Sequence, residues 1–237
     1  MRLSYRFLRF LCWWLYITVF RGRVFGQRHI PPRGGVLVLA NHQSYMDPVL
    51  VALAFGRETS YMGREALFRN PSLRTLIRYL NCFPVKEEAA DIGSIKEALR
   101  RLRSGRMVVI FPEGSRTWDG TIADFLPGAA AIALRAGCPI LPVLITGAFE
   151  AWPRNRRLPR PSPIAVHYDR PILPQEFAGL EPHDLARLFT DGMRTFQRNV
   201  RQRYRICGPA PKPAPANGTR AGGRSELEKP TETPRCR

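Results

Sequence analysis

The apolar and polar positions of this chain change period in a way that predicts alternating strands and helices. Val36 to Ala40 is a run of β-formers that breaks into the polar Asn41-His42-Gln43-Ser44. Pro48 to Phe55 is apolar throughout and reads as a buried helix, with Asp47 as its cap and Pro48 near its first position. Ser60 to Gly63 is a further strand. Arg64 to Leu80 reads as two short helices divided near Asn70-Pro71, with Leu73, Leu76, Ile77 and Leu80 at helical spacing. Cys82 to Lys86 is a short strand ending in a cation. Asp91 to Ser104 is the clearest helix: Asp91 caps it, Ile92, Ile95, Leu99 and Leu102 form its stripe, and Gly105 closes it. Met107 to Phe111 and Ile140 to Thr146 are continuously apolar strands, the pattern of a sheet covered on both faces. Between them Gly128 to Ala136 is a helix of small residues. Short strands at Val24 to Gln27 and Ile164 to Tyr168 and a helix within Glu181 to Tyr204 complete the pattern. The alternation predicts an α/β fold with a mostly parallel central sheet flanked by helices.

The two ends differ from this middle. Met1 to Phe20 places Arg2, Arg6 and Arg9 at helical spacing, and an uncharged apolar run starts only at Phe10. That run is about half of the ~20 residues a spanning helix needs. Arg21-Gly22-Arg23 follows it, with no small-residue cleavage site. Residues 1–23 are therefore expected to form a retained helix at the membrane interface, with Trp13, Trp14 and Tyr16 at headgroup depth. Residues 24–206 would be the folded domain. From 207 to 237 the chain is Pro, Gly, Ala and charge, the composition of a disordered tail.

Charge changes the picture more than composition does. The formal net charge is +18, so the surface attracts polyanions: nucleic acid, anionic lipid headgroups or an acidic carrier protein. No acidic residue precedes Asp47, while seven arginines do, which suits the cytoplasmic face of a membrane and peripheral or monotopic attachment. No zinc-finger, helix-turn-helix or RNP signature accompanies the charge, and the aromatics gather at the N-terminus, so no nucleic acid is expected. The five cysteines are scattered without a C-x-x-C pair, which fits a reducing compartment and no metal site. HExxH, Walker A, GxGxxG and GxSxG patterns are missing, so the sequence lends no support to metalloprotease, nucleotide-loop or serine-hydrolase chemistry.

The candidate chemistry lies where predicted strands end. His42 follows the strand into Asn41, and Asp47 comes five residues later. A histidine can take a proton from a hydroxyl near neutral pH, and a carboxylate beside it can hold the ring and stabilise the imidazolium. Alone, the pair also fits a surface loop and a helix cap. Phe111-Pro112-Glu113-Gly114-Ser115-Arg116 follows another buried strand and sets a carboxylate and a guanidinium about a glycine bend. Arginine binds phosphate oxygens bidentately, and glycine lets backbone N–H groups approach an anion. Pro139-Ile140-Leu141-Pro142-Val143 brackets the start of a third strand with prolines.

In order and spacing these three stretches resemble the motifs of the 1-acyl-sn-glycerol-3-phosphate acyltransferase (lysophosphatidate acyltransferase) family, from about Val24 to Pro171. The resemblance implies transfer of a fatty acyl group from acyl-CoA or an acyl carrier protein to the sn-2 hydroxyl of 1-acylglycerol-3-phosphate, giving phosphatidate, with no cofactor. His42 would be the general base and Asp47 its orienting carboxylate. Glu113, Gly114, Ser115 and Arg116 would hold the glycerol phosphate, with Lys86 and Pro142 as further substrate contacts. Many family members carry arginine where this chain has Lys86, and lysine neutralises phosphate without the bidentate fork. That departure keeps open another lysophospholipid, or a lyso-aminolipid, as acceptor. Ser44 is a conceivable nucleophile beside His42, and backbone N–H groups after Asn41 are candidates for an oxyanion hole.

Overall fold

The computed structural model describes residues 3–85 and 92–204. Its centre is a seven-stranded sheet: β1 (Arg23–Phe25), β2 (Val36–Ala40), β3 (Thr59–Arg64), β4 (Cys82–Val85), β5 (Met107–Ile110), β6 (Ile140–Thr146) and β7 (Ala165–Tyr168). The spatial order is β1-β7-β6-β2-β5-β3-β4. β6, β2, β5, β3 and β4 pair in parallel. β7 runs antiparallel to β6 and parallel to β1, so the last two strands reverse the direction at one edge. The helices are α1 (Leu3–Phe20), α2 (Asp47–Ala52), α3 (Pro71–Tyr79), α4 (Ile92–Arg103), α5 (Pro127–Ala136), α6 (Ala148–Ala151) and α7 (Pro182–Tyr204).

The strands are apolar on both faces because both faces are covered. Val36, Val38 and Ala40 of β2 point into one core with Leu50 and Val51 of α2 and Ala148 of α6. Leu37 and Leu39 point into the opposite core with α4, α5 and α7, against Leu99, Ile132 and Leu185. All five β2 side chains are thus buried, which strands with one wet face would not allow. The sequence pattern and the observed elements agree closely along this central part.

Several expectations need correction. Tyr16 is 2% exposed rather than at headgroup depth: its hydroxyl donates to the carbonyls of Arg23 (2.6 Å) and Ile164 (3.2 Å), tying α1 to the domain. Ile92, placed in the α4 stripe, is 64% exposed, and Ser94 and Ala98 are buried on that helix instead. Leu73 and Leu76 have helical spacing but lie on an α3 with no buried residue. Asp47 does not cap α2; Met46 precedes the helix, and the Asp47 carboxylate turns back to the preceding loop. Lys86, the Asp91 cap and the tail from 207 lie outside the described residues. No described helix is long and apolar enough to cross a membrane.

Candidate active site

The site forms where β2 and β5 end side by side, since Leu39 pairs with Ile110 and both chains leave the sheet at the next turn. Asn41 continues the ladder with its side chain. Its amide donates to the carbonyl of Ile145 (3.0 Å) and its carbonyl accepts from Ile145 N–H (2.7 Å), so the β2 terminus is pinned to β6. His42 is thereby held just beyond the sheet. Its Nδ1 lies 2.8 Å from Asp47 Oδ2, and its ring stacks on Phe111 with centroids 4.1 Å apart. The Asp47 side chain is completely buried and that of His42 is 19% exposed. Asp47 Oδ2 also accepts from the backbone N–H of Gln43 (2.5 Å) and Ser44 (2.7 Å). With two backbone N–H groups already donating to it, Oδ2 acts as an acceptor, which fixes Nδ1 as the protonated ring nitrogen. Nε2 has no hydrogen-bond partner among the described residues and is the nitrogen left for a substrate.

Glu113 is 8% exposed and faces the protein. Its Oε1 accepts from the backbone N–H of His42 (2.7 Å) and its Oε2 from that of Ala123 (3.1 Å). Burial pushes its pKa up to about 8, opposed by these two hydrogen bonds and reinforced by the charge of Asp47. The carboxyl therefore joins two loops rather than reaching outward. Thr117 N–H closes the same junction on the His42 carbonyl at 2.9 Å. Gly114 sits at φ +70°, a left-handed turn in which a Cβ would meet Leu126 Cδ1 at 2.7 Å. Its exposed carbonyl accepts from Arg64 Nη2 (2.7 Å) and Nε (3.2 Å). Ser115 and Arg116 are half-buried. Arg116 lays its guanidinium 3.4 Å from the Tyr45 ring centroid, and its buried Nη1 has no hydrogen-bond partner among the described residues.

The structure thus brings His42, Asp47, Glu113, Gly114 and Arg116 together. Pro142 lies apart from this cluster, lower in the sheet opposite Leu39. It lines an apolar cleft of about 280 Å³ between the sheet and α7, with Phe125, Phe189, Met193 and Phe196. Two readings of the sequence fail on geometry. Ser44 is fully buried, its Oγ accepting from Met46 N–H at 3.3 Å, so no substrate reaches it as a nucleophile. The N–H groups of His42, Gln43 and Ser44 all donate to carboxylates, so this turn does not supply an oxyanion hole. Arg64 was not singled out from sequence. Its signal was available, because it is a cation directly after a predicted strand, the same signature that drew attention to Lys86.

Comparison with known proteins adds to this geometry. The family model described as Acyltransferase matches residues 21–146. A probable 1-acyl-sn-glycerol-3-phosphate acyltransferase of Mycoplasma genitalium is 30% identical over 192 residues, covering 75% of this chain and 71% of that protein. The 1-acyl-sn-glycerol-3-phosphate acyltransferase of Cocos nucifera is 32% identical over 139 residues, 57% of this chain and 45% of that one. Among solved structures, the 1-acyl-sn-glycerophosphate acyltransferase of Thermotoga maritima superposes with a TM-score of 0.65 at 26% identity. That match covers 88% of this chain and 86% of the other.

Proposed function

The chain belongs to the 1-acyl-sn-glycerol-3-phosphate acyltransferase family, and from that premise we propose that it moves a fatty acyl group from acyl-CoA or an acyl carrier protein to the sn-2 hydroxyl of 1-acylglycerol-3-phosphate. The observation that carries the mechanism is the 2.8 Å contact of His42 Nδ1 with the buried Asp47, which leaves Nε2 unpartnered. Nε2 takes the hydroxyl proton as the oxygen attacks the thioester carbonyl carbon. The tetrahedral adduct collapses with cleavage of the C–S bond, and the departing thiolate recovers the proton from the imidazolium. Asp47 stays ionised throughout and stabilises that imidazolium. No acyl-enzyme is needed, because a thiolate already leaves readily.

Arg116 suits the acceptor phosphate, since its side chain is half-buried at the edge of the site and Tyr45 holds the guanidinium plane. Arg64, anchored on the Gly114 carbonyl, adds positive charge to the same bend. Glu113 supports the reaction by holding the His42 backbone. α1 supports bilayer attachment on the cytoplasmic face: Phe7, Phe10, Trp14 and Ile17 are 69%, 65%, 54% and 46% exposed, on a helix without an acidic residue.

Thiol release from an acyl thioester, with lysophosphatidate as acceptor, tests the reading. Release that depends on lysophosphatidate and falls by a hundredfold or more in His42→Ala is the expected result. Release with another lysolipid alone would move the acceptor and keep the chemistry. Full activity in His42→Ala would remove the mechanism.

A further inference from the structure

The loop from 152 to 163 is a basic surface segment outside the catalytic motifs, with four arginines and no acidic residue. It is a shaped loop. Trp152 Nε1 donates to the Arg156 carbonyl (3.0 Å), and Arg160 closes the segment through its backbone N–H on the Ala151 carbonyl (2.9 Å) and its Nε on that of Glu150 (2.6 Å). This closure leaves Leu158, between Arg157 and Pro159, 75% exposed. Trp118, on the neighbouring loop, is 72% exposed and carries the Arg154 guanidinium 3.4 Å from its ring centroid.

Two connections place this rim. Toward the site, Arg154 Nη1 donates to the Arg116 carbonyl at 3.3 Å, and Trp152 packs on Tyr45 with centroids 5.3 Å apart. Toward the N-terminus, Ile164 N–H donates to the Phe20 carbonyl at 3.0 Å, so the loop ends against the last residue of α1. The exposed apolar row of α1 and the exposed Leu158 and Trp118 are therefore linked through one continuous stretch of structure beside the catalytic mouth. An exposed leucine and tryptophan set among arginines, with no acidic residue in the loop, match an interface that is apolar at depth and anionic at its surface.

We propose that the 152–163 loop, together with Trp118, is a second bilayer contact that seats the mouth of the catalytic site on anionic lipid headgroups. Leu158 enters the headgroup boundary while Arg156 and Arg157 meet phosphates. α1 supplies attachment, and the loop supplies orientation, turning the open edge of His42 and Arg116 toward an acceptor lying in the same leaflet. The proposal rests on the bilayer association argued above.

The test uses the full chain and vesicles of phosphatidylcholine with phosphatidylglycerol, compared with phosphatidylcholine alone. Removing two arginines from an anionic surface, at about fivefold each, weakens binding of Arg156→Gln/Arg157→Gln about twenty-fivefold. Leu158→Ser weakens it by roughly tenfold or more. Both variants keep the wild-type melting temperature and the wild-type rate on a monodisperse short-chain acceptor. Variants that bind anionic vesicles like the wild type overturn the loop's role. If they also lose rate with acyl carrier protein as donor but not with acyl-CoA, the loop is a donor-docking surface instead. A wild type that binds neither vesicle removes bilayer association itself, a failure distinct from that of the loop.

Discussion

Asp47 gathers three hydrogen bonds on a single carboxylate oxygen, and this explains why its place in the chain as a cap is overridden. A cap would spend the carboxylate on the helix that follows; here it folds the His42 turn back on itself. Asp47→Asn preserves an acceptor for the amides and removes the charge opposite the imidazolium. Turnover is expected to fall a hundredfold or more while the fold survives, as steady-state kinetics alongside urea unfolding would reveal. Glu113 contributes differently, through protonation. Its folded pKa of about 8 lies above the 4.5 of the free side chain. The native state then holds more protons than the unfolded chain between those values, so this group's contribution falls as pH rises. His167 acts in the opposite sense. Burial lowers its pKa from 6.5 to about 4, so its contribution is full above pH 6.5 and is lost as pH falls toward 4. Between pH 6.5 and 8 only Glu113 of these two operates, contributing a loss on the order of 2 kcal/mol. Chemical denaturation across that window should show the slope in the wild type and a shallower one in Glu113→Gln.

At the scale of elements, α1 is both part of the domain and a surface. Tyr16 fills the core through one side of the helix, and Arg9 donates to the Phe55 carbonyl beside it. Gly22 makes that packing feasible, because a Cβ there would overlap the Tyr16 ring, and its N–H also closes the helix on the Tyr16 carbonyl at 2.9 Å. Gly22→Ala should displace the ring and cost about 1–3 kcal/mol, read as a lowered unfolding midpoint with the same denaturant slope. The opposite side of α1 remains exposed and apolar. α3 shows the same division without a buried side: Leu73 and Leu76 repeat at helical spacing but stay 37% and 50% exposed. Periodicity specifies a face, whereas the neighbours available to cover it depend on the fold.

For the whole molecule, the charge of +18 is a statement about partners. Raising ionic strength from about 0.01 to 0.15 M shortens the screening length from about 30 to 8 Å. Turnover on anionic vesicles should drop severalfold over that range, while turnover of a soluble acceptor changes little. A parallel assay on both acceptors separates surface attraction from chemistry. The same charge is not evenly spent: Arg101 and Arg100 pair with Glu97, and Arg194 is buried against Asp124. The loop from 152 to 163 has arginines and no carboxylate of its own.

The linear chain by itself determined the alternation of strands and helices, the covered sheet and the order of the catalytic motifs. These follow from local periodicity and from residue types that carry their chemistry wherever they lie. His42 and Asp47 were legible because one short turn brings them together. Only the tertiary structure decided what lies between segments distant in sequence. It reversed β7 and β1 against the other five strands and turned Glu113 inward to a backbone 71 residues away. It also placed Arg64 on the Gly114 bend and set the 152–163 loop between α1 and the candidate site. Such contacts depend on which strand ends become neighbours, and a one-dimensional pattern of apolar and polar residues does not encode that adjacency.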